Sequence, residues 1–120
     1  MKKYIVALLV VLVMASFVCA EDAYKYSGIK TADAIIAKGP GVFRGLIITP
    51  DGTNSCVVAL HDSLDNSGAK VVPDFTVGAG VTDSAGGLWP FSVSFNTALY
   101  ADMTSSGCKF EVYGNSGLWQ

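Results

Sequence analysis

The chain has 120 residues, 51% of them hydrophobic and 15% charged, with a formal net charge of −2. With a single histidine and no free cysteine pair to spare, zinc lacks ligands, and eight basic residues against ten acidic ones give no electrostatic footprint for nucleic acid. The length suits one domain, and no internal repeat, linker or low-complexity tract divides it.

The first twenty residues have the parts of an export signal. Lys2 and Lys3 precede an unbroken apolar stretch from Ile5 to Val18, and the site Val18-Cys19-Ala20 is followed by Glu21-Asp22. The apolar run is shorter than the roughly 20 residues a spanning helix needs. Two alternatives stay open: a retained anchor, and a lipid on Cys19, for which Val18 is bulky. Cleavage after Ala20 removes 20 of the 120 residues and leaves 100, with six basic residues against ten acidic ones and a net charge of −4. That balance disfavours nucleic acid and anionic membrane surfaces as partners of the mature domain, residues 21–120. The expected location is secreted: periplasmic, extracellular or particle-associated.

Beyond the signal, short runs rich in Val, Ile, Phe and Tyr alternate with Gly, Asn, Asp, Ser and Pro about every ten residues. This pattern predicts an all-β fold, an antiparallel sandwich of jelly-roll or immunoglobulin-like type with seven or eight strands. Residues 21–33 form an extended arm or an edge strand, with Tyr24–Lys30 as its candidate. Strands are then predicted at Ala34–Lys38, Val42–Thr49, Ser55–Asp62, Lys70–Val77, Trp89–Phe95, Leu99–Thr104 and Cys108–Tyr113. Pro50-Asp51-Gly52-Thr53-Asn54, Asp62–Gly68 and Ser105-Ser106-Gly107 read as turns. Gly78–Gly87 is the longest loop and a natural binding tip. Strand parity places Trp89, Phe91, Val93 and Phe95 on one inward face.

After cleavage two cysteines remain, Cys56 and Cys108, and parity places both on inward faces. An exported domain with an even pair predicts one disulfide between them. Candidate chemistry is sparse. His61 has no evident nucleophile or orienting carboxylate and reads as a surface or half-buried histidine. Asp62, Asp65 and Asn66 are weak calcium candidates with no EF-hand spacing. Lys38-Gly39-Pro40-Gly41 lacks the Lys-Ser/Thr of a phosphate loop. Tyr100, Trp119 and Asp83 are candidate ligand-binding residues, with Trp119 either exposed near the chain end or docked on its own sandwich.

From Ile35 to Tyr113 the chain resembles the small β-sandwich structural proteins of tailed phages. The pattern is Gly41-Val42-Phe43-Arg44-Gly45-Leu46-Ile47-Ile48, then Leu60-His61-Asp62, Ser67-Gly68-Ala69-Lys70, Phe95-Asn96-Thr97-Ala98-Leu99-Tyr100 and a closing aromatic strand to Tyr113. The resemblance implies a non-enzymatic particle component. A second likeness, to exported pilin-like subunits, implies that Tyr24–Lys38 adds as a strand to a neighbour. The expected function is therefore a secreted structural or assembly subunit without a cofactor. It would associate with itself or with another surface protein. The alternative is a glycan- or surface-ligand-binding module using Gly78–Gly87 and exposed aromatics.

Overall fold

A computed structural model of the chain describes residues 24–105 and 107–120. The expected export signal, residues 1–20, lies outside the described residues. Eight strands form: β1 (Lys25–Tyr26), β2 (Ala34–Ala37), β3 (Gly41–Thr49), β4 (Cys56–His61), β5 (Phe75–Val77), β6 (Ala85–Phe95), β7 (Leu99–Met103) and β8 (Lys109–Ser116). They pair antiparallel into two four-stranded sheets, sheet A in the order β1-β8-β3-β6 and sheet B in the order β2-β7-β4-β5. The molecule is the expected all-β sandwich. Alternation along the strands, with one shift of register in β3 between Phe43 and Gly45, explains its core: Phe43, Leu46, Ile48, Phe110 and Val112 from sheet A meet Ile36, Val58, Leu60, Leu99 and Ala101 from sheet B. Burial of each larger side chain stabilises by roughly 1.5–3 kcal/mol.

Cys56 and Cys108 are bonded, with Cα atoms 6.0 Å apart across a separation of 52 residues. Both are buried, so strand parity read the pair correctly. The bond ties β4 of sheet B to the base of β8 in sheet A. On the chain-entropy model a loop of this size is worth about 4 kcal/mol.

Three expectations change. The strand at Lys70–Val77 shrinks to β5, because Pro73 cannot donate to a ladder; a single bridge, His61 to Lys70, remains of its first half. The Gly78–Gly87 loop is shorter than expected, since β6 begins at Ala85. Gly86, at φ 106°, pairs with Ile47, and a Cβ there would meet the Leu46 carbonyl. Only glycine permits that approach.

The third change is the face assigned to Phe91. Phe43 pairs with Val93, but Gly45 pairs with Leu88, so Trp89–Ser92 bulge opposite the single residue Arg44. Pro90 sits in the bulge and has no N–H to give the ladder. The parity of the strand breaks there. Trp89 turns back towards the core, and Phe91, expected inward, is 60% exposed.

Of the arm and the edge strand expected at residues 21–33, the described part, from Tyr24, shows the edge strand. β1 pairs with β8, Lys30 exchanges both backbone hydrogen bonds with Phe110 (2.8 and 3.0 Å), and β2 pairs with β7. The residues that a donated strand would need are already spent on the chain's own sheets.

Candidate functional site

The two long sides of the sandwich are built differently, and one of them is the candidate site. On the β2 side the C-terminal tail adds itself to the edge. Lys38 N donates to the Leu118 carbonyl (3.1 Å), Gln120 N donates to the Ile36 carbonyl (2.8 Å), and Trp119 bridges Ala37. Trp119 faces inward, packed against the core, where its ring occupies space that a Cβ at Gly114 would contest. Of the two readings of Trp119, docking on its own sandwich is the one observed.

On the opposite side, β5 and β6 are the edge strands of their sheets, near each other through Phe75 and Trp89, and among the described residues no third strand lies over them. An aromatic ladder climbs there from the core to the surface. The Trp89 ring meets Phe43 edge-on at 5.1 Å, Phe75 at 5.5 Å, and Phe91 at 5.5 Å. A gap of about 60 Å³ lined by Leu46, Ile48, Phe75, Val77 and Gly86 opens between the two edges. Leu88 is exposed to the same degree as Phe91. From Ser84 to Ala101 the chain has no charged residue. The apolar side chains of this surface can bury area against a partner.

The three expected ligand-binding residues are not brought together. Tyr100 is half-buried on the outer face of sheet B, paired with Ile35 and His61, whereas Trp119 faces the core of the same sheet. Asp83 is exposed in the connection between β5 and β6, on the far side from Trp119. Burial pushes the Tyr100 hydroxyl above its usual range, and the negative charges of Asp33, Asp102 and Asp65 add to that.

The weak calcium candidates have other work. Asp62 accepts backbone N–H groups from Asn96 (2.9 Å), Thr97 (2.7 Å) and Ala98 (3.3 Å), clamping the β6–β7 turn to the end of β4. Burial raises its pKa, but the three donors together outweigh that and hold the carboxyl below its usual range. Asp65 accepts from the Ser67 hydroxyl and N–H (2.5 and 2.8 Å), which likewise lower it. Asn66 is exposed beside it. Among the described residues no three His, Cys, Asp or Glu side chains group as a metal site. His61 is buried beneath the loop that follows it, with Nδ1 2.9 Å from the Gly68 carbonyl, more enclosed than its sequence position suggested.

Sequence reasoning missed Leu88 because the strand was expected to begin only at Trp89, and misplaced Phe91 because it took that strand as one unbroken alternation. Two signals were present: a proline inside the run, and the absence of the charges that ordinarily guard an edge. No helix among the described residues is long and apolar enough to cross a membrane. The disulfide is compatible with a secreted protein. Compared with protein-family models, curated proteins and solved structures, the chain matches none.

Proposed function

We propose that the protein is a secreted, non-catalytic assembly subunit that associates with a second copy through its β5/β6 side. The observation that carries this reading is β6, an eleven-residue edge strand without a charged residue that presents Leu88 and Phe91 each 60% exposed. Edge strands of monomeric proteins are guarded by charge, brevity or cover. β5 is short, but β6 has only its bulge and Pro90. Interface cores are rich in aromatic residues and poor in charge, which is the composition of this patch. The bulge disfavours simple strand addition, so contact would come through side chains. A non-catalytic role is supported by where the polar candidates are spent: Asp62 and Asp65 on turn donors, His61 under its loop.

Periplasmic, extracellular and particle-associated locations all suit a disulfide-braced domain with the expected export signal. Size-exclusion chromatography with light scattering on the exported protein tests the reading. The expected result is a dimer or larger assembly that Leu88→Ser with Phe91→Ser converts to monomer at an unchanged thermal midpoint. A monomer at the highest reachable concentration, with no filament or particle in electron micrographs, overturns it.

A further inference from the structure

Sheet A has a second surface with a different chemistry, on its outer face at the β1 end. Tyr26 and Tyr113 are cross-strand partners whose rings stack, with centroids 6.0 Å apart and planes at 23°. The Tyr113 hydroxyl donates to Glu111 Oε2 at 2.6 Å. Tyr24 lies with its ring centroid 4.6 Å from the Arg44 guanidinium carbon. Tyr24 and Tyr26 are 49% and 60% exposed. Two residues apart on an extended chain, they project from one face about 7 Å from each other. Among the described residues the one ion pair is Lys70–Asp74, so neither Arg44 nor Glu111 is neutralised by a partner.

We infer that this face is a carbohydrate-binding platform that takes an oligosaccharide with its sugar rings against Tyr24 and Tyr26. A pyranose has an apolar C–H face and a rim of hydroxyls, and it needs a flat ring beside both donors and acceptors. The platform supplies these: phenol rings for the apolar face, guanidinium N–H groups as donors, and the remaining lone pairs of Glu111 as acceptors. A protein partner fits less well, because a protein interface core is depleted of charge, as the β6 side is and this face is not. The rings are also held in advance, Tyr26 by Tyr113 and Tyr24 by Arg44, so binding orders little that was free. Sheet A places two strands, β8 and β3, between β1 and β6, so Tyr24 and Tyr26 lie two strands away from Leu88 and Phe91, and only Arg44, opposite the β6 bulge, reaches towards the proposed assembly surface.

Isothermal titration with cellohexaose, chitohexaose and a galacturonate hexamer tests the proposal and separates neutral from acidic sugars. The expected result is saturable binding of at least one of them, weakened about tenfold or more by Tyr26→Ala and retained by Tyr26→Phe, which keeps the ring. Tyr24→Ala, which changes a residue outside the β1–β8 ladder, is expected to weaken the same ligand at an unchanged thermal midpoint. Leu88→Ser with Phe91→Ser is expected to leave binding intact even where it abolishes assembly. Absence of binding to all three oligosaccharides, or binding that Tyr24→Ala and Tyr26→Ala both leave unchanged, overturns the proposal.

Discussion

The same chain finishes one side of its sandwich and leaves the other open. At β2 it spends its last three residues on an added bridge, two backbone hydrogen bonds and an aromatic ring turned inward. At β5 and β6 no segment among the described residues covers the edges, and the aromatic ladder from Phe43 through Trp89 ends on an exposed Phe91. The contrast separates two uses of aromatic residues in a small β-domain. Trp119 is near the chain terminus, where fraying is the ordinary expectation, yet it closes the core. Phe91 is in the middle of the longest strand, where burial is the ordinary expectation, yet it faces solvent.

The largest expected effect is common to both sides and sets the scale for the rest. Replacing Cys56 and Cys108 together by serine removes the covalent tie between the sheets and should lower stability by about 4 kcal/mol, measured by urea denaturation. Trp119→Ala comes next, at about 3 kcal/mol, the low end for a large aromatic truncation because the ring is only partly enclosed. Its signature should be local. Hydrogen exchange at the Lys38 amide, which donates to Leu118, should accelerate, while amides of β3 that pair with β6 keep their protection. Equal acceleration on both sides would mean that the tail supports the whole sandwich and does not merely cap one edge.

Most of the closed architecture was legible in the sequence, because it rests on alternation. Phe110 and Val112 in β8, and Val58 and Leu60 in β4, sit inward as a period of two requires. The same parity placed Cys56 and Cys108 where a bond could form. What escaped was whatever depended on a break in period or on contact distant in sequence. The Trp89–Ser92 bulge shifts register by an amount that Pro90 signals but does not specify. The Asp62 clamp joins residues 34 to 36 positions apart, and a lone aspartate before a turn does not announce its partners. The tyrosine platform likewise needs β1 beside β8, a pairing between the two ends of the described chain.

Asp62 anchors the far end of β6, and so bears on the open side. Asp62→Asn should cost about 1 kcal/mol, since the three backbone donors lose a charged acceptor at a partly solvated position. The sign of its pH dependence follows from its lowered pKa. The clamp's contribution is fully present above the ordinary unfolded aspartate value of about 3.9, and it is lost as pH falls through the lower folded value. Asp51 and Asp65 are lowered as well, so the wild type should lose stability in acid for several reasons. The difference between wild type and Asp62→Asn in thermal midpoint isolates the clamp: it should be constant at neutral pH and narrow below about pH 4.

The smallest expected effect decides most about the comparison. Phe91→Ser alone should change the stability of the monomer by no more than about 0.5 kcal/mol, as for other exposed positions, because at 60% exposure the ring gives its own sandwich little beyond one tilted contact with Trp89. Its effect should fall on association, where an exposed aromatic ring contributes buried area only once a second surface covers it. If Phe91→Ser instead destabilises dilute monomer as strongly as Trp119→Ala does, then Phe91 is itself a cap. The bulge would then close the β5/β6 side by folding an aromatic ring over Trp89, as the tail closes the other side with Trp119. A monomer of unchanged stability that has lost its assembly would leave the asymmetry standing and assign the open side to a partner.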